Sequence, residues 1–250
     1  MPLIYDTAPL IKPSPNAILN KYLDLPKFLS LLYKRSIFFT RLDKLEDRYE
    51  GVSSNASREL MLEWYRDGAA NDDEANQRLV EYLNFEKQYK TLVCINCWNK
   101  NQDESAALWK IYSDFGKGIM IKSSISSVEK ALNTCAEDVR ISEVKYINHE
   151  KDFSPAGNSY FAFIHKNKSY SYEEEIRLIY EIVPEFGWVH DWSKEEVETG
   201  KYIAVDLLSL IDEVILGPFS PNWVFEMITD LMYKYGIDRP VRKSKLFPTY

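Results

Sequence analysis

The chain has 250 residues, enough for a full hydrophobic core, with 45% apolar and 28% charged residues, as in ordinary globular proteins. Its net charge of −7 argues against nucleic-acid binding through the overall field, leaving only a local basic patch for that purpose. No apolar run approaches the ~20 residues of a membrane span, and collagen, coiled coil, disorder and a disulfide scaffold are excluded by composition.

The opening stretch carries Pro2, Pro9, Pro13 and Pro15 and is expected to be an extended arm over 1–17. It has neither the basic start nor the apolar core of a secretory signal. A short helix is expected over 25–34, with Asp24 as N-cap and Pro26 in the first turn. SIFFT (36–40) reads as a buried strand. The next eleven residues, RLDKLEDRYEG, contain seven charges and end in Gly51. Residues 55–90 are rich in helix formers and read as a helical insertion. From 91 onward, strands and helices alternate. TLVCINCW, KGIMIKS, VRISEVKYI, EEIRLIYEIV, KYIAVDL, DEVILGP and RPVRKS read as strands. DESAALWKIYSDF, SSVEKALNTC and PNWVFEMITDLMYKYG read as helices. About seven short strands with about six helices predict an α+β fold with a mixed, mainly antiparallel sheet. Residues 18–250 are expected to form a single α+β domain.

Three cysteines, an odd number, fit free thiols in a reducing, cytoplasmic setting. Cys94 and Cys97 are three apart on an expected strand, so they point to opposite faces and do not share a metal. His149, His165 and His190 show no ligand spacing. Dinucleotide-fold glycine motifs, P-loops, nucleophile elbows and zinc-protease motifs are all missing from the sequence.

Three clusters carry chemistry. The first is the turn Arg41 to Gly51, at the end of a buried strand, where Arg41 suits a phosphate or carboxylate. A solvated, self-paired turn explains the same charges. The second runs from Cys97 to Tyr112. Ser105, Trp109 and Tyr112 fall four and three residues apart, on one helical face suited to stacking a nicotinamide or base. Ordinary core packing explains them equally. In the third, Glu173, Glu175 and Arg177 alternate on one strand face, which is costly to bury without partners. An edge strand facing solvent would make these charges ordinary.

In order, the blocks KYLDLPKFLSLLYKRSIFFTRLDKLEDRYEG, NCWNKNQDESAALWKIYS, GIMIKSS, KNKSYSYEEEIRLI, DEVILGP and PNWVFEMI resemble a bacterial and phage family of unknown function. Members of that family commonly have Asp-Pro-Phe-Glu-Gly where this chain has Asp47-Arg48-Tyr49-Glu50-Gly51, and Met where it has Leu108. More distantly, the layout resembles DNA-modifying ADP-ribosyltransferase-like toxins. The resemblance places Lys21 and Tyr22 on a first strand, followed by the helix 25–34. The aromatic strand ending at Arg41 comes next, and Glu173 and Glu175 lie on a later acidic strand.

That resemblance implies NAD as substrate, a nucleic-acid or protein acceptor, and an antitoxin or immunity partner. Glu175 would stabilise charge on the ribose, Glu173 would activate the acceptor, and Arg41 would hold the pyrophosphate. Lys21, Tyr22, Ser105, Trp109, Tyr112 and Arg177 would contact NAD. Two other readings stay open. One is a Mg²⁺-dependent nuclease or phosphodiesterase using Asp43, Asp47, Glu50, Glu173 and Glu175. The other is a non-catalytic, defence-associated binding module.

Overall fold

The computed structural model describes residues 3–4, 9–47, 49–113, 116–155, 158–182, 191–192 and 198–246. Of the expected arm, residues 1–2 and 5–8 lie outside this set, as does His190.

Twelve strands are found among the described residues. They are β1 (Leu3–Ile4), β2 (Ile18–Leu23), β3 (Ser36–Arg41), β4 (Val93–Asn99), β5 (Ile119–Ser124), β6 (Val139–Glu143), β7 (Lys145–Ile147), β8 (His165–Asn167), β9 (Glu175–Glu181), β10 (Gly200–Ala204), β11 (Glu213–Leu216) and β12 (Val241–Lys243). Between them run α1 (Leu25–Lys34), α2 (Asn55–Gly68), α3 (Asp72–Tyr89), α4 (Ala106–Tyr112), α5 (Ile125–Leu132), α6 (Tyr160–Ile164), α7 (Leu207–Leu210) and α8 (Asn222–Lys234). Ten strands form one sheet in the order β1-β6-β9-β4-β2-β5-β11-β12, with β3 bonded to β4 and β10. Only β1–β6 and β11–β12 are parallel in it, so the fold is α+β with a mainly antiparallel sheet.

Local chemistry explains most element limits. Asp24 caps α1 by accepting from the Lys27 amide at 2.8 Å. Arg35 then takes a left-handed conformation (φ 48°) that turns the chain into β3. The helical stretch 55–90 divides in two, because Asn71 accepts from the Glu74 amide at 2.9 Å and starts a second helix. The expected strand VRISEVKYI also divides: β7 leaves the main sheet to pair with β8. β2 was expected only through the toxin-like layout, and β1 and β8 were not expected. Ile11 lies against β6, its amide donating to Ser142 Oγ at 2.8 Å and its carbonyl accepting from the Glu143 amide, and Leu10 beside it is buried.

Period-two alternation sends side chains of the central strands to two cores. Cys94, Trp98, Ile176 and Leu178 face one, with Phe28 of α1 and Val128 of α5. Val93, Ile95 and Ile179 face the other, against Phe163 and Ile164. Cys94 joins the first core and Cys97 packs against the second.

One edge of β4 is shared by two strands. Asn99 pairs with Asn20 of β2 at one end, while Ile95 and Cys94 pair with Thr40 and Arg41 of β3 at the other. Among the described residues, no ladder partner covers Asn96, Cys97 and Trp98 on that edge. Side chains bridge the gap instead: Lys21 Nζ donates to the Cys97 carbonyl and Asn96 Nδ2 to the Phe38 carbonyl, both at 2.8 Å. The sheet therefore forks, and α1 connects the two prongs.

His149 and His165 are buried, and neither His149 ring nitrogen has a hydrogen-bond partner. Burial holds both imidazoles below their usual value of 6.5; near His149, Asp47 opposes this shift and His165 adds to it. These two groups thus bind fewer protons in the folded chain than in the unfolded chain just below pH 6.5, and their contribution to stability falls as pH drops from 7 towards 5. His149→Phe is expected to flatten this decline in the melting temperature. An unchanged slope would contradict the assignment.

Candidate active site

The fork opens a cleft of about 600 Å³, within the usual size range for small-molecule sites. β2, α1, β3 and β4 supply most of its walls, and Asp47, Glu50, Tyr112, Tyr202 and residues of the stretch 166–175 also line it.

Glu173 and Glu175 lie at the floor by a device the sequence pattern did not suggest. Residues 168–173 form a tight 3-10 turn, and Glu174 takes a left-handed conformation (φ 41°) before β9 starts. Glu173 is therefore not on the strand at all. The reversal nonetheless brings its carboxylate beside that of Glu175, since Lys166 Nζ reaches both, at 2.5 and 2.9 Å. Asn99 Nδ2 holds the Glu173 carbonyl at 2.6 Å, and the Glu175 amide donates to the Tyr146 hydroxyl at 2.9 Å. Tyr112, at the end of α4, donates to Glu173 Oε1 at 2.6 Å.

Arg177, on the same strand face as Glu175, extends the network. Its Nε donates to Glu175 Oε1 at 2.6 Å, its Nη2 to Glu50 Oε1 at 2.8 Å, and its Nη1 to the Phe163 carbonyl at 2.6 Å. Lys166 Nζ also lies 3.3 Å from Glu50 Oε1. Three carboxylates thus share two cations, and all five residues are buried. Burial disfavours every one of these charges. For Glu175 the nearby Arg177 and Lys166 outweigh burial and hold its carboxyl well below the usual range. Burial lowers Lys166, but Glu175 and Glu50 together raise it well above the ordinary lysine value. At Glu50 burial dominates and raises the carboxyl, with Arg177 opposing. Tyr112 is pushed up by burial and by Glu173, so its hydroxyl keeps its proton as a donor. Lys21 is pushed down to about 8 by burial, with Cys97 and Glu175 opposing.

Aromatic side chains line part of the remaining wall, among aliphatic ones such as Leu23, Leu31 and Ile37. Phe38 and Tyr202 meet at 4.8 Å, and Trp98 and Tyr170 line the cleft with lysine ammoniums 5.4 and 5.0 Å from their ring centres. Flat rings of a ligand can stack on such surfaces.

Of the residues singled out from sequence, Lys21, Tyr22, Tyr112, Glu173, Glu175, Asp47 and Glu50 line the cleft. Arg41 does not. It is 2% exposed, and its guanidinium grips Asp43 with two bonds of 2.6 and 3.0 Å, so its charge is engaged two residues away. Trp109 is fully buried, edge-on to Tyr22 at 5.1 Å, with Nε1 donating to Glu104. Ser105, expected on a shared helical face, is instead the N-cap of α4: its hydroxyl accepts from the Leu108 amide, and its own amide donates to the Tyr22 hydroxyl. Trp109 and Ser105 hold Tyr22 from behind the cleft. Arg177 has no exposed surface, and its guanidinium donates to Glu175, Glu50 and the Phe163 carbonyl.

The five carboxylates considered as Mg²⁺ ligands do not gather around a common point. Asp43 belongs to Arg41, and among the described residues no group of three or more His, Cys, Asp or Glu is arranged to hold a metal ion. Lysine and arginine nitrogens lie between Glu50, Glu173 and Glu175.

Sequence reasoning missed Lys166, Asn20, Asn96 and Tyr146, and included Asn99 only as part of the second cluster. Lys166 falls in a loop-rich stretch with no charge pattern around it. Asn96 lies within the otherwise apolar run VCINC, and that contrast was the available signal.

No family model matches the chain, and no curated protein matches it. Two solved structures are similar over most of its length. DarT from Thermus sp. 2.9 in complex with carba-NAD+ has 10% identity and a TM-score of 0.41, covering 94% of this chain and 97% of that one. DarT from Thermus sp. 2.9 in complex with ADP-ribosylated ssDNA has 10% identity and a TM-score of 0.40, covering 94% and 96%. Likeness at this level assigns no residue and no reaction to the present chain.

Removing one member of a buried ion network leaves its partners uncompensated, at a cost of about 3–5 kcal/mol. Arg177→Met is expected to lose that much stability in urea unfolding, because both Glu175 and Glu50 lose their guanidinium. A loss below about 1 kcal/mol would show that the network is not an ionic one.

Proposed function

We propose that the chain is an ADP-ribosyltransferase that uses NAD as substrate and transfers its ADP-ribosyl group to a nucleic acid or a protein. The observation that carries this reading is the pair Glu173 and Glu175, fixed by Lys166 and Arg177 at the floor of a cleft partly lined by aromatic rings. The order of elements, with Lys21 and Tyr22 on a first strand and the acidic stretch following much later, agrees with it.

The chemistry suits the residues. When the nicotinamide–ribose bond breaks, its electron pair leaves with nicotinamide and positive charge builds on the ribose. A preorganised carboxylate stabilises that charge without reorganising. Glu175 fills this role: Arg177 and Lys166 keep it ionised and fixed at neutral pH. The acceptor atom then bonds to the anomeric carbon and gives its proton to Glu173. Tyr112 orients Glu173 through its hydroxyl, and its exposed ring edges the cleft for stacking. Lys21 and Tyr22 bound the ligand on the opposite wall. Arg41 takes no part in this scheme. As a toxin or defence-associated effector, such an enzyme would need an antitoxin or immunity partner in its own host.

Purified protein is expected to release nicotinamide from NAD, and Glu175→Gln to lower that rate by at least about a hundredfold. The melting temperature should show that the variant remains folded. Equal nicotinamide release by the variant and the parent would refute the reading.

A further inference from the structure

Helices α2 and α3 contribute only Tyr89 to the two sheet cores. The residues they bury are Ser57 and Met61 in α2, and Ala75 and Glu86 in α3. One of the two buried residues of an 18-residue helix is thus a carboxylate. Burying a carboxylate is costly unless it is well bonded, so its partners show what the helix holds.

Those partners lie at the end of the charged turn. The Ser53 amide donates to Glu86 Oε1 and Oε2 at 3.1 and 3.3 Å, and the Ser53 hydroxyl donates to Oε1. The Tyr82 hydroxyl, one helical turn before Glu86, lies 3.4 Å from Ser53 Oγ. Ser53 follows Glu50 by three residues, and the chain between them is a tight corner. Gly51 takes φ 71°, and a Cβ there would stand 2.5 Å from the Leu42 side chain. Beyond Ser53 the chain is held as well, since the Ser54 amide donates to Ser154 Oγ at 3.2 Å and the Asn55 amide to the His149 carbonyl at 2.8 Å.

We propose that Glu86 is a positioning residue of the active site, through which the α2–α3 hairpin fixes Glu50 against Arg177 and Lys166. The proposal rests on the transferase reading above and extends it to a residue outside the cleft.

The route has few links. Glu86 holds Ser53, and the corner at Gly51 passes that constraint to Glu50. Glu50 Oε1 accepts from Arg177 Nη2 at 2.8 Å and lies 3.3 Å from Lys166 Nζ. The same two cations hold Glu175, at 2.6 and 2.9 Å. If Glu50 withdraws, both cations lose a carboxylate and re-seat on the one that faces the ribose. A displacement of about 1 Å at such a group is enough for a large loss of rate. This explains why a hairpin that adds so little to the cores ends in a buried acid beside the charged turn.

Steady-state NAD turnover by Glu86→Leu, Glu86→Gln, Glu50→Gln and the double variant with Glu50→Gln and Glu86→Leu tests this, with each rate taken per folded molecule. Glu86→Leu is expected to lower kcat at least about tenfold and to leave KM for NAD unchanged. Glu86→Gln keeps an acceptor oxygen for Ser53 and is expected to restore kcat to near the parent value. In the Glu50→Gln background the Glu86→Leu change is expected to alter kcat by less than about twofold, because its route to the site is already cut. The same fold-loss in both backgrounds, or a loss confined to KM or to the folded fraction, would overturn the proposal. Where Glu86→Leu folds poorly, Ser53→Ala removes the hydroxyl bond alone and is expected to lower kcat by about fivefold; an unchanged kcat there also overturns it.

Amide hydrogen exchange over residues 50–53 reads the brace without turnover. Glu86→Leu is expected to speed it at least about tenfold while leaving β5 unchanged, and equal exchange in variant and parent contradicts the brace. Faster exchange in a chain whose parent turns over no NAD sinks the transferase reading and keeps the hold of Glu86 on Ser53. Turnover by the parent with losses that multiply independently sinks the positioning role alone.

Discussion

Two buried cations shared among three buried carboxylates fix the chemistry of this molecule. Lys166 and Arg177 hold Glu50, Glu173 and Glu175 within one network, and the five come from four local contexts. Glu50 ends the charged turn, Lys166 lies on a short strand, Glu173 closes a 3-10 turn, and Glu175 and Arg177 open β9. Such a cluster is weak evidence for stability, because desolvation offsets most of the attraction. It is good evidence for position: no member can move without leaving a charge unpaired. What it secures is the place of two carboxylates at the floor of a cleft.

The cleft itself follows from strand pairing. β4 offers one edge to two strands and is paired only at its ends, so the middle of that edge is free for other groups. Lys21 and Asn96 tie the prongs to β4 through side chains, which keeps a gap that ladder bonds would close. Trp109 and Ser105 contribute from behind, by packing on Tyr22 and binding its hydroxyl. Trp109 and Ser105 thus reach the cleft through Tyr22, and Asn20, Asn96 and Asn99 line it.

The physical signals explain which parts were legible. Helix α1 could be read because its cap, its proline and its apolar spacing all agree. β4 and β9 could be read because they are uncharged or alternating runs bounded by polar loops. The cost of burying Glu175 and Arg177 was visible from their neighbours in the strand. Glu173 was assigned to the right cluster for the wrong reason, since nothing in YSYEEE announces a left-handed residue at Glu174. Lys166 was out of reach because its three partners are drawn together by tertiary folding. A self-paired turn was one of the two readings open for Arg41, and the pairing with Asp43 follows it. Local capping and periodicity are written in the sequence, whereas pairings across more than a hundred residues, such as Glu50 with Arg177, are not.

The most direct test is an experimental structure of the chain with a non-cleavable NAD analogue, reading the distance from the Glu175 carboxylate to the anomeric carbon of the nicotinamide ribose. Contact at about 3–4 Å, with the ribose between β2 and β4, is the result required for a carboxylate that stabilises charge there. An analogue bound elsewhere, or bound in the fork with that carbon beyond direct contact with Glu175 and Glu173, would contradict it.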